Sequence, residues 1–378
     1  MSDVYQQSLE LHRINHGKLA IKSKVPLKTK EDLSLAYTPG VSEVCRLIAA
    51  DPSAALTHTL KGNTVAVVTD GSAILGLGNL GPAAALPVME GKCVLFKEFA
   101  DVDAFPICLD IQDTEEIIKT VKFLAPSFGG INLEDIAAPR CFEIERRLKQ
   151  ELNIPVMHDD QHGTALVVLA GLINAIKLRG LNKAEAKILI NGAGAAGLAI
   201  ADLLLSYGFA DITVCDSQGT IYEGRPDLNE AKIRMAKLTN KTKANQDLAA
   251  AVKDKNIFIG VSKGNILTEA MVSSMAERPI IFALANPIPE IMPEAAKRAG
   301  AFIVATGRSD FPNQLNNVLA FPGIFRGALD NKVSQITDQM LTRAAESLAN
   351  LVAQPNPELI LPDPFAKEVA PAVAQAIY

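Results

Sequence analysis

The chain alternates short apolar runs with longer segments in which apolar residues recur at helical spacing. Runs rich in Val and Ile predict strands in the first half at 64–69, 104–109 and 154–157. Helical spacing there predicts helices at 31–49, 82–99, 114–124 and 139–152. A longer apolar helix is predicted at 164–178, ending at Gly180, and we expect it to link two domains.

The second half repeats this alternation more regularly. Further strands are predicted at 187–190, 211–215, 256–259, 279–285 and 301–305. From about residue 313 the pattern is mostly helical. We therefore predict an α/β protein in three parts. They are an N-terminal α/β substrate- and metal-binding domain at 1–160, a Rossmann-type domain at 161–315, and C-terminal helices at 316–378 that pack back on the first domain.

The composition of the chain disfavours several classes of function. The 378 residues are 48% hydrophobic and 21% charged, with a net charge of −5, so nothing favours binding to nucleic acid or to an anionic membrane. No apolar run reaches the roughly 18–20 residues of a bilayer span, and the polar start lacks a secretory signal. The five cysteines form no CxxC pair, which indicates reduced thiols and a cytoplasmic protein.

A glycine-rich turn follows the predicted strand at 187–190. Gly192 allows a tight turn, Gly194 lets the backbone approach a pyrophosphate, and Gly197 permits close packing of the next helix. Asp216, 19 residues beyond Gly197, ends the next strand and is placed to bind the adenosine ribose. We predict that the residues of this turn bind the dinucleotide: Gly192, Ala193, Gly194, Ala195, Ala196 and Gly197.

The choice of dinucleotide stays open in the sequence. Asp216 favours NAD because a carboxylate repels a 2′-phosphate, whereas Lys232, Arg234 and Lys237 follow and could serve NADP. Ligands of such sheets lie at the carboxyl ends of strands, where Ser262 and Asn286 are candidates for the nicotinamide side. These polar loops could equally be ordinary turns.

Two pairs of acids follow apolar stretches in the first half, Glu134–Asp135 and Asp159–Asp160. Carboxylates from separate loops are what Mg²⁺ or Mn²⁺ requires. Taken alone, each pair could instead be a solvated turn or a helix cap. His158 and His162 flank the second pair and add the alternative of an imidazole site.

Two residues are candidates for proton transfer. Lys92 lies in an apolar helix pattern, where desolvation and any nearby metal cation are expected to lower its pKa and make it a general base; a snorkelling surface lysine is the alternative. Tyr37 precedes a Thr-Pro-Gly turn and could donate a proton to a carbanion; a buried structural tyrosine is the alternative.

Taken together, these segments closely resemble malic enzymes of the short bacterial type. The matching segments run in order over about residues 30–330: LAYTPGV, VTDGSAILGLGNLGP, PVMEGKCVLFKEFADVDAFPICLD, INLEDIAAPRCFEIE, PVMHDDQHGTA, INGAGAAGLAIA, FALANPIPEI and TGRSDFPNQLNNVLAFPGIFRGAL. The resemblance implies oxidative decarboxylation of (S)-malate to pyruvate and CO₂, with NAD or NADP and Mg²⁺ or Mn²⁺, in a homodimer. A metal-dependent oxaloacetate decarboxylase on this scaffold and a non-catalytic cofactor-sensing module are the alternatives.

The resemblance also implies roles for individual residues. Tyr37 matches the general acid, Lys92 the general base, and Asp159 the acid that pairs with this lysine. The implied metal ligands are Glu134, Asp135 and Asp160, and the implied substrate amides are Asn286, Asn316 and Asn317. One position departs from the long-chain members, where an arginine binds a substrate carboxylate, because this chain has Ala73 there.

Overall fold

In the computed structural model, which describes residues 2–74 and 76–378, the first half of the chain forms a four-stranded parallel sheet. The strands are β1 Thr64–Thr69, β2 Asp103–Cys108, β3 Gly130–Leu133 and β4 Val156–His158, in the order β2-β1-β3-β4. Strand β3 was not predicted, because four residues that begin with glycine give a weak strand pattern. Strand β3 matters for function, because the residues that follow it lie beside those that follow β4.

Seven helices accompany this sheet. They are α1 Ser2–Asn15, α2 Lys30–Ala36, α3 Val41–Ala50, α4 Ala55–His58, α5 Pro82–Ala100, α6 Thr114–Leu124 and α7 Arg140–Glu151. The single helix predicted at 31–49 is wrong: α2 ends where Tyr37 N–H binds the Leu33 carbonyl, and α3 starts at Val41. Pro39 between them lacks an N–H and crowds the preceding turn, which breaks the helix.

The second half of the chain forms a six-stranded sheet. Its strands are β5 Lys187–Asn191, β6 Asp211–Asp216, β7 Gly219–Thr220, β8 Ile257–Gly260, β9 Ile280–Ala283 and β10 Ile303–Thr306. The order β10-β9-β8-β5-β6-β7 is parallel except for the short hairpin strand β7. Strand order therefore reverses at β5, the type of position at which doubly wound sheets bind ligands.

Helix α8, Asp159–Arg179, joins the two sheets. By length and composition alone it could cross a bilayer, but 67% of its most apolar window is buried inside the protein, as expected for a core helix. Gly180 ends it in the left-handed conformation. The other helices of this half are α9 Ala195–Tyr207, α10 Glu230–Leu238, α11 Leu248–Ala251, α12 Glu269–Ser273 and α13 Pro293–Arg298.

The chain ends in three helices, α14 Phe321–Asp330, α15 Asp338–Asn350 and α16 Val369–Ala374. Phe321 and Phe325 of α14 pack edge-on against Phe96 of α5, with ring centroids 4.7 and 5.5 Å apart. The expected α/β class, with C-terminal helices returning to the first domain, is confirmed. The domain limits at residues 160 and 315 stay predictions.

Candidate active site

The predicted acids meet at the carboxyl edge of the first sheet. Glu134 and Asp135 follow β3, while Asp160 lies in the first turn of α8, directly after β4. Because β3 and β4 are parallel neighbours, their ends lie side by side. One oxygen from each carboxylate lies within 4.8 Å of the other two. Three converging carboxylates match the hard oxygen ligands of Mg²⁺ or Mn²⁺.

Local hydrogen bonds fix these acids. Asp135 has a φ of 52°, in the left-handed region that few residues other than glycine adopt. Its N–H donates to Asp160 Oδ2 at 2.9 Å, and Asn132 Nδ2 donates to Glu134 Oε2 at 2.9 Å. The N–H of Ala73, at the position of the absent arginine, donates to the Asp135 carbonyl at 3.0 Å. The loop of residue 73 thus supports the acid cluster through its backbone.

Lys92 lies inside this cluster and is only 7% exposed, so it is not a surface lysine. Its Nζ is 2.6 Å from Asp159 Oδ2, 3.0 Å from Glu134 Oε1 and 4.2 Å from the ring centroid of Phe321. A Cβ on Gly163 would lie 1.9 Å from Asp159 Oδ1, so only glycine leaves room for this carboxylate. Lys92 and Asp159 form a buried, hydrogen-bonded acid–base pair.

The charge state of Lys92 depends on the acids around it. Burial alone would lower its pKa, but the charges of Asp159 and Glu134 outweigh burial and hold the pKa above its ordinary value. Burial, opposed by Lys92, raises the pKa of Asp159 to about 7 and that of Glu134 to about 7. The lysine carries the proton in this state, beside a carboxylate that titrates near neutrality.

The neighbouring histidines are held by a residue that the sequence did not reveal. Buried Glu145 of α7 accepts the His158 backbone N–H and His162 Nε2, each at 2.9 Å. Burial lowers the pKa of His158 to about 4, which keeps its ring neutral. Among the described residues the metal-competent cluster contains neither histidine, so an oxygen site is favoured over an imidazole site.

The glycine turn has the geometry that its sequence predicts. Gly192 has a φ of 126°, and a Cβ there would lie 2.7 Å from the Val261 carbonyl oxygen. A Cβ on Gly197 would lie 1.7 Å from the Gly192 carbonyl oxygen. Helix α9 begins after Gly194 without a side-chain cap. Its first N–H groups, in a segment of small alanines (Ala193, Ala195 and Ala196), form a cradle that suits an anionic pyrophosphate.

Asp216 ends β6, as predicted, but two cations already contact it. Lys232 Nζ lies 2.6 Å and Arg225 Nη2 2.9 Å from its carboxylate. Arg225 was missed because it lies in an irregular loop. Arg234 instead pairs with Asp202 of α9. The end of the turn that the sequence predicts to bind ribose therefore contains a carboxylate paired with two cations.

Two of the three predicted amides, Asn286 and Asn317, lie close to residues of the first half or of the joining helix α8. A Cβ on Gly76, in the first half, would lie 2.7 Å from the Asn286 carbonyl oxygen, so this loop reaches the carboxyl end of the second sheet. Asn317 packs beside Gly163 on α8, since a Cβ on that glycine would lie 3.3 Å from Asn317 Cβ. Asn316 differs, because its side chain accepts the Val318 N–H at 2.9 Å as a helix cap.

Within one chain, the described contacts of the Tyr37 side chain do not include the acid cluster. It lies in the turn between α2 and α3, and 67% of it is exposed, so it is not a buried structural tyrosine either. In the part of the chain that the structure describes, no hydrogen bond or ring contact joins its side chain to the acid cluster. The other predicted catalytic and metal-binding residues, all of which are in or beside the cluster, are Lys92, Glu134, Asp135, Asp159 and Asp160.

Comparison with known proteins agrees with this geometry. Two family models match, the malic enzyme N-terminal domain over residues 16–149 and the malic enzyme NAD-binding domain over residues 161–378. The bifunctional malic/malolactic enzyme of Bacillus subtilis is 58% identical over 98% of this chain and 92% of its own length. The NAD-dependent malic enzyme of Geobacillus stearothermophilus is 53% identical over 96% of this chain and 76% of its own.

A solved structure shows the same fold. The crystal structure of the NAD-dependent malic enzyme of Thermotoga maritima superposes with a TM-score of 0.95, at 52% identity, and covers 98% of both chains. The two matched family models together span nearly the whole chain, and the relatives share about half of its residues or more. The resemblance seen in the sequence is confirmed, and this chain belongs to the malic enzyme family.

Proposed function

We propose that this protein oxidises (S)-malate and decarboxylates the product to pyruvate and CO₂, with a nicotinamide dinucleotide as oxidant. One observation carries the proposal: a buried lysine, its partner carboxylate and three convergent acids lie where a dinucleotide-binding sheet meets the first sheet. Glu134, Asp135 and Asp160 would hold Mg²⁺ or Mn²⁺, which supplies positive charge where negative charge develops on the substrate oxygens.

The chemistry balances without a further reactant. The C2–H bond breaks as hydride leaves for the nicotinamide ring, while the hydroxyl proton passes to Lys92. The C3–C4 bond then breaks, CO₂ leaves, and its electron pair stays on C3 of the enolate. Tyr37 protonates C3. One proton is removed and one returned, so the net change is malate and NAD⁺ to pyruvate, CO₂ and NADH.

Lys92 must be neutral to act as a base, and Asp159 supports this step. The two side chains share a hydrogen bond of 2.6 Å, and the pKa of Asp159 lies at about 7. Asp159 orients the amine through this hydrogen bond, and a divalent cation held by the three acids would offset the negative charge that holds the Lys92 pKa high, which favours the neutral amine. Asn286 and Asn317 orient malate, and Lys92 or the metal ion would take the place of the arginine of long-chain members, because the N–H groups of residues 71–74 already have partners within the protein.

A steady-state assay tests the function. Malate, lactate and oxaloacetate are each incubated with NAD or NADP, with and without Mn²⁺, while NADH absorbance, pyruvate and lactate are followed. Pyruvate and NADH formed together from malate, only with the metal, support the proposal. Decarboxylation of oxaloacetate without oxidation of malate would favour the decarboxylase. Cofactor binding without any turnover would favour the sensing module.

We infer that NAD is the preferred dinucleotide, because Asp216 neutralises both nearby cations. Replacing Asp216 with asparagine removes the negative charge that would repel a 2′-phosphate and leaves Lys232 available to it, while Arg225 keeps its ion pair with Asp227. The ratio of kcat/KM for NADP to that for NAD is expected to rise about 10–100-fold, the worth of one or two charge-assisted hydrogen bonds.

The matched control for this prediction is Asp202→Asn, which breaks the ion pair with Arg234 on α9. It should leave the cofactor ratio unchanged. Equal ratios in Asp216→Asn and wild type would show that Asp216 does not select the cofactor.

We also propose a homodimer in which Tyr37 of the partner subunit completes each site. None of the described residues in 4–50 is buried. This N-terminal segment exposes twelve large apolar side chains besides Tyr37: Val4, Tyr5, Leu9, Leu11, Ile14, Leu19, Ile21, Val25, Leu27, Leu33, Leu35 and Leu47. An apolar surface of this extent is typical of an interface, and two-fold assembly is the commonest kind.

Mixing two inactive variants tests this arrangement. Tyr37→Phe and Lys92→Ala chains are unfolded together and refolded, so that about half of the dimers are hybrids. Each hybrid has one intact site if Tyr37 acts across the interface, so activity per site should recover to about one quarter of wild type. No recovery despite dimer formation would place Tyr37 and Lys92 in the same subunit.

We propose a cytoplasmic location and a small-molecule substrate, with no nucleic-acid or membrane partner. The five free cysteines, three of them buried, support a reducing compartment. The net charge of −5 supports the absence of a nucleic-acid partner.

A further inference from the structure

Glu290 is a buried acid with no role in the chemistry above. It lies in the loop between β9 and α13 and is 0% exposed. Among the described residues, no lysine, arginine or histidine lies within 4.0 Å of its carboxylate, unlike Glu134, Glu145 and Asp159. A buried carboxylate without a cation costs several kcal/mol, so its environment must stabilise it in another way.

Its partners are backbone N–H groups of two neighbouring loops. Glu290 Oε1 accepts the N–H of Ser262 at 3.0 Å, and Oε2 accepts the N–H of Ala285 at 3.0 Å. The Glu290 carbonyl accepts the Leu267 N–H at 3.0 Å. Since each carboxylate oxygen receives an N–H donor, the ionised form fits the site. Burial raises the pKa of Glu290, and these N–H groups lower it.

The backbone also makes room for this carboxylate. Gly260 is the last residue of β8, and a Cβ there would lie 2.3 Å from Glu290 Cδ. Any other residue at this strand end would displace the acid. The side chain therefore fits between the ends of β8 and β9 and joins the loops that follow them.

These two loops are the ones that face the expected nicotinamide. Ser262 follows β8, and its hydroxyl also accepts Asn191 Nδ2 at 2.7 Å, from the end of β5. Ala285 directly precedes Asn286, the amide assigned to substrate and cofactor. Loops at the carboxyl ends of central parallel strands bind the ligand in sheets of this type. Glu290 thus contacts both loops, and among the described residues it makes no hydrogen bond with the glycine turn or Asp216, although Val261, next to Ser262, packs against Gly192.

We propose that Glu290 is a positioning residue that holds the Ser262 and Asn286 loops together, so that the nicotinamide end of the dinucleotide enters a preformed site. This inference rests on the proposed function and deepens it. The Glu290 carboxylate binds each loop through a backbone N–H group. It therefore acts by fixing two backbone segments. Its loss is therefore expected to affect the nicotinamide end and not the adenosine end.

Glu290→Gln tests this selectively, because an amide has one acceptor oxygen and turns an NH₂ group towards the second backbone N–H. Binding of NADH and of ADP-ribose, which lacks nicotinamide, is measured by calorimetry on wild type and variant. We expect the Kd for NADH to rise about tenfold, as for one lost charge-assisted hydrogen bond. The Kd for ADP-ribose should stay within about twofold, since Glu290 makes no hydrogen bond with the glycine turn or with Asp216. The KM for NAD should rise, and the KM for malate should rise with it, because the Asn286 loop also orients malate.

The control is Glu294→Gln, an exposed acid on α13, which should change neither Kd. Equal effects on NADH and ADP-ribose, or no effect on either, would overturn the inference, since a purely structural role gives no preference between them. If Glu290→Gln does not fold, Glu290→Asp, which keeps the charge but shortens the side chain, should show the same selective loss. Failure of the wild type itself to bind NADH would instead contradict the proposed function.

Discussion

Replacing Lys92 with alanine is expected to lower kcat for malate oxidation by about 10²–10⁴-fold, the usual contribution of a general base. The lysine Nζ lies 2.6 Å from Asp159 and 3.0 Å from Glu134, and among the described residues no other lysine or arginine lies within 4.0 Å of these two carboxylates to take its place. Stopped-flow measurement of NADH formation in one turnover isolates this step. Small primary amines should restore part of the rate, because truncation leaves a space beside Phe321.

The variant Lys92→Arg distinguishes the effect of a positive charge at residue 92 from the effect of a base there. Arginine keeps the positive charge beside Asp159, but its pKa above 12 prevents it from losing a proton. We therefore expect this variant to be as slow as Lys92→Ala. Lys97→Ala, on the same helix but half-exposed, is the control and should be close to wild type. A Lys92→Arg enzyme with full activity would show that the cation, and not proton transfer, is what the site needs.

Removing one carboxylate of the acid cluster should strongly weaken binding of the divalent ion. Glu134→Gln retains shape and hydrogen bonding to Asn132 but loses a charge, and the Kd for Mn²⁺ is expected to rise by at least about 10–100-fold. Free Mn²⁺, quantified by electron paramagnetic resonance during titration, gives this constant. Malate oxidation should fall in parallel and recover in part at high Mn²⁺.

Two comparisons make this result specific. Glu143→Gln, an exposed acid on α7, should not change the Kd for Mn²⁺. Chelator treatment of the wild type should abolish malate oxidation while leaving ADP-ribose binding intact, since the glycine turn lies on the other sheet. Unchanged Mn²⁺ affinity in Glu134→Gln would mean that the cluster does not bind the ion.

Features fixed by local chain geometry could be predicted from the sequence. The glycine turn, its acid and the acids after β3 and β4 depend on residues adjacent in the chain, as does the helix that starts at Pro82. The charge state of Lys92 could not, because its local neighbours are apolar and the carboxylate that governs its pKa is 67 positions away. The local pattern indicated that Lys92 is buried, but it could not show the carboxylates that oppose the effect of burial on its pKa.

The residues missed by sequence reasoning share the same cause. Glu145 and Glu290 look like ordinary acids in helix and loop segments, and their roles come from N–H groups 13 and 28 positions away. Arg225 was overlooked because its partner Asp216 contacts it only after β7 folds back in a hairpin. Non-local pairing of this kind is visible only in three dimensions.

Helix α8 carries Asp159 and Asp160 in its first turn and continues into the middle of the core. The proposed ion site therefore needs β3 and β4 to be paired and α8 to follow them, because Asp135 and Asp160 lie 25 positions apart in the chain. Backbone pairing brings the three acids together, in contrast to small domains that fold only around zinc. A chain in which β3 and β4 have not paired would hold no preformed pocket for the ion.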